Sequence, residues 1–198
     1  MGQKGENTRR EIINKSLMLF SVKGYFNTSI NDILEETGLT KGGIYGHFNN
    51  KEEIWNAAYQ EAASIWKKII FKDLKPVTDP LTRIEMLIEH DMRDYIGTNV
   101  FPGGCFFLNM LVDLSGQSKE MSDFVWNGFE GIMRIIESWI EEADKLNMLK
   151  PDLNCKEISK FIVISLNGTA ALYAATKDRS LWQTTISQLK QYISLLRK

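Results

Sequence analysis

The chain has 198 residues, of which 43% are hydrophobic and 25% are charged. This balance is typical of a folded globular protein and excludes a mainly disordered one. The formal net charge is −1, so the chain is not a polycation, and any binding to nucleic acid must depend on a local patch of positive charge.

Two features of the sequence bear on its compartment. Cys105 and Cys155 have neither a metal-ligand spacing nor the pattern of a disulfide framework. The N-terminal stretch MGQKGENTRR lacks the apolar core of a signal peptide, and no apolar run approaches the roughly 20 residues that span a bilayer. We therefore expect a cytoplasmic protein that has no membrane partner and needs neither a cofactor nor a metal ion.

Helical periodicity and capping patterns predict an all-α fold of about nine helices, without a strand of convincing length. Capping boxes at Thr8–Glu11 and Ser29–Asp32 open the first two helices. Thr40 is the expected N-cap of the third helix, and Asn50 that of the fourth. The expected helices, in chain order, span residues 8–23, 29–38, 40–48, 50–75, 79–97, 105–114, 119–147, 154–173 and 180–196.

The stretch from Ser29 to Phe48 has the pattern of a helix-turn-helix, with Gly38 in the turn. Its second helix contains the adjacent glycines Gly42 and Gly43, each of which costs about 1 kcal/mol relative to alanine. That cost is understandable if the helix must approach another molecule closely, and we expect this molecule to be DNA. An ordinary helical hairpin is the alternative, and the net charge of +1 over residues 1–50 gives DNA binding only weak support.

The runs FNTSINDI at 26–33 and GLTKGGIYGHFNNK at 38–51 resemble the N-terminal signature of the TetR family, the tetracycline-repressor-like transcriptional regulators. The resemblance implies a ligand-responsive, homodimeric DNA-binding regulator, which we expect to be a repressor. We place a helix-turn-helix DNA-binding domain at 1–50 and a ligand-binding and dimerisation domain at 51–198. The DNA-binding residues expected from the resemblance and from the helix ends are Thr28, Ser29, Thr40, Lys41, Gly42, Gly43, Tyr45, His47 and Lys51.

The resemblance implies different roles for these residues. Hydroxyls and amides at the start of the second helix would meet phosphates, and Lys41 with the two glycines would lie nearest the bases. Tyr45, His47 and Lys51 would clamp the DNA backbone. Gly46 stands where a larger, often polar residue is expected, so one contact that some relatives make is absent.

Aromatic residues and methionines are unusually dense between residues 59 and 133. Most of them are expected to form the hydrophobic core. The family's regulatory domain commonly contains an apolar pocket with a few polar groups, so the resemblance implies a small-molecule effector site here. The candidate lining residues are Trp66, His90, Cys105, Phe106, Asn109, Trp126 and Phe129.

The run GGCFFLN at 103–109 resembles the Gly-Cys signature of a TetR subgroup with members that sense electrophiles or oxidants. Cys105 is expected at a helix N-terminus, where the helix dipole stabilises a thiolate. Two interpretations stay open: Cys105 senses an electrophilic effector, or it is a small buried residue that lines the pocket.

The last helix carries apolar residues at 182, 186, 189, 193 and 196, a spacing typical of a seam that packs against another helix. That helix belongs either to the same subunit or to a partner. The resemblance implies that the last two helices form a four-helix dimer interface, which would place two recognition helices roughly 34–36 Å apart on a near-palindromic operator. The candidate interface residues are Phe161, Leu166, Trp182, Ile186, Leu189 and Ile193.

We do not expect an enzyme. The two histidines, His47 and His90, are not in a Glu-x-x-His arrangement, and P-loop, dinucleotide and Gly-x-Ser-x-Gly motifs are absent. The alternatives that stay open are a redox sensor acting through Cys105 and a helical protein that binds small molecules without DNA activity.

Overall fold

In a computed structural model of the chain, which describes residues 2–198, those residues form nine α-helices and one π-helix and no β-strand. The all-α prediction is therefore confirmed. The helices are α1 (Gln3–Lys23), α2 (Ile30–Thr37), α3 (Lys41–Tyr45), α4 (Lys51–Ile70), α5 (Pro80–Glu89), the π-helix (His90–Ile96), α6 (Phe106–Leu114), α7 (Lys119–Lys145), α8 (Cys155–Thr176) and α9 (Arg179–Leu196).

Side-chain caps define the starts of α2, α3 and α4, as the sequence predicts. Ser29 and Asp32 form a reciprocal capping box, in which each side chain accepts a hydrogen bond from the other residue's backbone N–H. The Thr40 hydroxyl accepts from the Gly43 N–H at 3.2 Å, and the Asn50 side chain caps α4. These caps satisfy N–H groups that have no partner inside a helix, so they fix where each short helix begins.

Two predicted helix starts are wrong. Helix α1 begins five residues before the predicted Thr8, whose hydroxyl instead donates to the Lys4 carbonyl at 3.1 Å inside the helix. Helix α9 is capped by Asp178, which accepts from the Ser180 N–H at 2.9 Å, so Ser180 is not the cap. In both places a pattern that fits a cap lies within the first turns of a helix that has already started.

Helix α5 continues directly into the π-helix, which spans seven residues. The Gly97 N–H donates to the Met92 carbonyl at 2.8 Å, a bond five residues back that marks the wide turn. π-Helices are rare and occur frequently at functional sites, because the extra residue changes which side chains face a neighbouring element. Here the wide turn brings His90 and Asp91 opposite the C-terminal half of α4.

Helix α4 connects the N-terminal helices to the rest of the molecule. It packs along α1 on one side and against the π-helix on another. Its Trp55 and Tyr59 belong to a continuous aromatic core, with ring centroids 5.5 Å apart, and the Trp55 indole N–H points at the Met110 sulfur of α6 at 3.3 Å. One hydrophobic core therefore runs without a break from α1 to α9.

Helix α8 is long and apolar enough to cross a membrane when only its length and composition are considered. This corrects the expectation that no such segment exists, because residues 161–176 contain no charged side chain. The finding is weak support for a membrane span, since core helices of globular proteins meet the same criteria. Within the subunit α8 packs against α7 and α9, and 39% of its apolar window is buried.

The loop before α6 touches the end of α1 at Gly103. A Cβ atom at Gly103 would lie 1.8 Å from the Ser21 carbonyl oxygen, so the two backbones meet with no room for a side chain. The Gly103 N–H donates to the Ser21 hydroxyl at 3.2 Å, and the Gly103 carbonyl accepts from the Asn109 amide at 2.7 Å. This contact joins α1 directly to α6.

We predict that Gly103→Ala lowers the free energy of unfolding by about 2 kcal/mol, because the added methyl group must push two backbones apart. Urea unfolding followed by circular dichroism measures the change. Gly131→Ala in α7 is the matched control: nothing lies within 4 Å of its Cβ position, so we expect a stability gain of up to about 1 kcal/mol. Wild-type stability in Gly103→Ala would show that the contact is not tight.

Candidate DNA-binding surface and effector cavity

The surface of α3 is open to solvent at the positions predicted to read DNA. Lys41 and Gly42 are exposed, Tyr45 is 48% exposed, and Lys41 has no ion pair with any residue of 2–198. A Cβ at Gly42 would meet only the Thr40 hydroxyl at 4.0 Å, and one at Gly43 would make ordinary contacts. The fold itself does not require glycine at either position, which agrees with the close approach of another molecule.

The opposite side of this segment holds it in place. Ile44 and Phe48 are buried, and the Arg9 guanidinium of α1 lies 4.8 Å from the centroid of the Phe48 ring. His47 is half-buried, and its Nδ1 is enclosed without a partner among residues 2–198. Only the rest of the His47 ring is therefore open to a ligand.

Two residues expected to contact DNA have internal partners instead. Thr28 is fully buried, and its hydroxyl donates to the Gly24 carbonyl at 2.6 Å. The Lys51 ammonium donates to the Tyr25 and Thr28 carbonyls at 2.9 and 3.0 Å and lies 4.1 Å above the Tyr25 ring. Both predictions are corrected: these side chains fasten the α1–α2 turn and are not free for phosphates.

The same turn is held from the other side by a carboxylate of α6. Asp113 accepts hydrogen bonds from the backbone N–H groups of Tyr25 and Phe26 at 2.6 and 3.3 Å. Burial lowers the pKa of Lys51, while the negative charge of Asp113 opposes that shift. The turn that precedes α2 is thus fixed between a cation of α4 and an anion of α6.

A cavity of about 320 Å³ lies behind these contacts, between α4, the π-helix, α6, α7 and α8. Its walls are mainly apolar and aromatic, with a few polar groups, which is the usual make-up of a small-molecule site. The lining residues include Tyr59, Gln60, Trp66, Lys67, Phe71, Leu87, Asp91, Cys105, Phe107, Val125, Phe129, Ile132, Leu166 and Asn167.

Three of the seven predicted ligand residues line this cavity: Trp66, Cys105 and Phe129. The other four are corrected because the structure gives them other positions. Phe106 is a fully buried core residue, and Trp126 is 43% exposed and does not line the cavity. The remaining two have internal hydrogen bonds, from His90 Nδ1 to the Ile70 carbonyl and from the Asn109 amide to the Gly103 carbonyl.

Cys105 lies at the N-terminus of α6, as predicted, but its surroundings do not favour a thiolate. Burial raises the pKa of the Cys105 thiol to about 12, and backbone amides at the start of α6 oppose this shift without cancelling it. A thiol with such a pKa is almost fully protonated at neutral pH and is a poor nucleophile. The structure therefore favours the interpretation of Cys105 as a small residue that lines the cavity.

Sequence reasoning missed Asp91, the only acidic residue of the cavity wall. Its carboxylate accepts a hydrogen bond from the Trp66 indole N–H at 3.1 Å. Burial raises the pKa of Asp91 to about 6, and the bond from Trp66 opposes the shift. A signal was present in the sequence, since Asp91 stands four residues after the buried Leu87 and interrupts the apolar face of its helix.

The predicted dimer residues divide into two groups. Leu166, Leu189 and Ile193 are buried inside the subunit, and Trp182 and Ile186 are partly buried there, so the seam of α9 packs mainly against its own subunit. The assignments of Leu166, Leu189 and Ile193 to a dimer interface are corrected, whereas Trp182 and Ile186 keep part of their surface exposed. Phe161 is exposed on the outer face of α8.

Comparison with known proteins agrees with this arrangement of a helix-turn-helix unit, formed by α2 and α3 and called the reading head below, and a cavity. The family model described as "Tetracyclin repressor-like, C-terminal domain" matches residues 80–189, and the model described as "Bacterial regulatory proteins, tetR family" matches residues 12–58. The chain belongs to the TetR family. Like the other members, it is a ligand-responsive DNA-binding transcriptional regulator.

Individual TetR relatives are similar over almost their full lengths. A helix-turn-helix regulator encoded in the lacX 3′ region of Lactococcus lactis subsp. lactis is 25% identical, over 93% of this chain and 92% of its own. The repressor DhaR from Mycobacterium sp. strain GP1 is 24% identical, over 86% and 84%. A TetR regulator from Chloroflexus aurantiacus J-10-FL has the same fold, with a TM-score of 0.91 at 24% identity and coverage of 99% and 98%.

We predict that the ionisation of Asp91 destabilises the ligand-free TetR chain. The pKa of Asp91 is about 6 in the folded chain, against 3.8 for an ordinary aspartate. The protonated carboxyl therefore contributes its full stability below pH 3.8, and this contribution is lost as the pH rises through 6. Asp91→Asn does not titrate, so its stability relative to wild type should increase by about 1 kcal/mol from pH 5 to pH 7.

Urea unfolding at a series of pH values measures this difference. Asp94→Asn is the matched control, because the ion pair with Arg93 lowers the pKa of Asp94. Its stability relative to wild type should therefore stay nearly constant from pH 5 to pH 7, because Asp94 is ionised in the folded and the unfolded chain throughout that range. A pH-independent difference between wild type and Asp91→Asn would contradict the assignment.

Proposed function

We propose that this regulator is a homodimeric repressor that leaves its operator when a small molecule occupies the cavity between α4 and α8. One observation carries the proposal: the helices that line the cavity also hold the reading head. Helix α6 contributes Phe107, and its N-cap Cys105, to the cavity wall, and it contributes Asp113 to the contact with the α1–α2 turn. Helix α4 contributes Trp66 to the cavity and Lys51 to the same turn.

In this proposal the reading surface consists of the exposed end of α2 and the face of α3. Backbone N–H groups and hydroxyls at the two helix starts meet phosphates, and the glycine pair admits α3 deep into the major groove. We place the DNA-binding domain at 1–50 and the regulatory domain at 51–198, and the protein in the cytoplasm. The proposed contact residues are Ser29, Thr40, Lys41, Gly42, Gly43, Tyr45 and His47.

The proposed dimer interface is the outer face of α8, together with part of α9. Phe161, Ile164 and Leu172 are exposed along α8 at spacings of three and eight residues, which lie on one side of a helix. Gly168 lies between them with nothing near its Cβ position, so a partner helix can approach closely. Such a row of exposed apolar side chains indicates a protein interface.

Effector binding would act by shifting a population between two arrangements of the head. A ligand that fits the cavity better in one arrangement favours that arrangement by its difference in affinity. Because α4 and α6 both fasten the α1–α2 turn, a change in their spacing moves α2 and α3 as a unit. Two heads that no longer match the operator spacing then release the DNA.

The first experiment is the selection of bound duplexes from a random pool, followed by titration of the selected duplex at several salt concentrations. We expect Lys41→Gln to weaken binding and to reduce the slope of log K against log salt by about 1 per reading head. Lys145→Gln, at an exposed position of α7 far along the chain from the head, should leave the slope unchanged. Absence of any salt-dependent duplex binding would contradict the proposed function.

A second experiment tests the dimer. We expect Leu172→Glu to convert the protein to monomers in sedimentation-velocity runs, because it buries a charge in the interface. Val112→Glu is the control: Val112 is 68% exposed on α6, outside the proposed face, so this variant should stay dimeric. If Leu172→Glu also remains dimeric, the outer face of α8 is not the interface.

A further inference from the structure

The cavity contains a carboxylate without a cation. Asp91 Oδ1 accepts from the Trp66 indole N–H, and no other donor in residues 2–198 lies within hydrogen-bond distance of this carboxylate. The one positively charged lining residue, Lys67, is exposed and forms no ion pair with Asp91. Asp91 is partly buried and contributes to the cavity wall, so its second oxygen is left for a molecule inside the cavity.

A carboxylate that is partly buried beside apolar and aromatic walls is costly unless a positive charge or several donors compensate it. The protein supplies one neutral donor, the Trp66 indole. A neutral apolar ligand would remove the remaining water and leave the charge unpaired. An anionic ligand would add repulsion at short range. A cation removes the cost, so the carboxylate discriminates among ligands by their charge.

Aromatic rings surround the same position. Trp66 stands edge-to-face with Phe107 at 5.7 Å and with Phe71 at 6.3 Å between ring centroids, and Tyr59 with Phe107 at 5.4 Å. All four residues line the cavity. Organic cations bind favourably against aromatic faces, and more so when water is excluded. The Tyr59 hydroxyl has no protein partner within residues 2–198, which leaves a polar contact for the ligand.

The geometry points to an amphipathic organic cation as the effector: an amine or quaternary ammonium group lies against Asp91, and an apolar body fills the aromatic cavity. This inference rests on the proposed function, which makes the cavity the effector site. The cavity of about 320 Å³ limits the ligand to a small molecule. The π-helix supports the assignment, since it is the element that carries Asp91 to the wall.

The test compares three probes that share a phenylalkyl body and differ in charge: 4-phenylbutyltrimethylammonium, 5-phenylpentan-1-ol and 5-phenylpentanoate. Isothermal titration calorimetry on the full chain at pH 7.5, without DNA, measures each affinity. We expect the cation to bind at least about tenfold more tightly than the alcohol, and the anion to bind most weakly. Equal or tighter binding of the alcohol or the anion would overturn the inference.

Asp91→Asn tests the carboxylate itself. The amide keeps the shape and an acceptor for Trp66, so the variant should fold, which its circular dichroism and thermal melting confirm or refute. We expect the affinity for the cation to fall by at least about 30-fold, while the affinity for the alcohol changes by less than about threefold. Asp94→Asn, which removes a carboxylate at the surface of the same helix, should bind all three probes like wild type. Undiminished cation binding by Asp91→Asn would overturn the inference.

Adding the selected operator duplex separates this inference from the proposed function. If the cation binds through Asp91 but leaves the affinity for the duplex unchanged, the ligand class stands and the release mechanism is wrong. If the duplex binds with the expected salt dependence but the cation does not bind, the reading function stands and the ligand class is wrong.

Discussion

The structure depends on the hydrogen bonds that a single carboxylate accepts from the turn between α1 and α2. Asp113 belongs to α6, yet its partners are the backbone N–H groups of Tyr25 and Phe26, at the entrance to the reading unit. Bonds from N–H groups to a charged acceptor are about twice as strong as neutral ones. Gly24 is required beside them, because a Cβ there would lie 2.8 Å from the carboxylate. The head therefore has a fixed position relative to α6 and is not a freely moving appendage.

This attachment explains how one small chain combines two tasks. The reading surface is held by short-range caps and by Ile44 and Phe48, so α2 and α3 keep their own shape. Their position, in contrast, is set by α4 and α6, which also line the cavity. The shape of the reading head is thus determined by contacts within α2 and α3, and its position by contacts with α4 and α6. In the proposed mechanism, a ligand would alter this position without disturbing the proposed DNA-reading surface.

The sequence predicts well what depends on neighbours along the chain. The caps at Ser29, Thr40 and Asn50 use partners three residues away, and each is present in the structure. It predicts poorly what depends on distant partners. The apolar period of α9 is real, but period alone does not say whether the partner helix belongs to the same subunit, and Leu189 and Ile193 are buried within it.

The family resemblance has a related limit. It indicates which residue types stand near DNA, but it does not show whether their polar groups are already used inside the protein. Lys51 is an example, because its ammonium is bound to carbonyls on the far side of a turn. Asp91 was missed for a related reason. Its place in the cavity wall depends on Trp66, 25 residues away, and on a π-helix that capping patterns do not predict.

The π-helix also has a consequence for how ligand preference can change. A π-turn is equivalent to an α-helix that has accepted one additional residue without breaking. Deleting one residue from His90–Ile96 would restore α-helical winding within this segment and leave the turns on either side in register, while shifting which residues of the segment itself face α4. The side chain facing the cavity would then differ while α4, α6 and the reading head kept their sequences. Length variation in this one segment is therefore a route by which related chains could exchange effectors and keep the same operator.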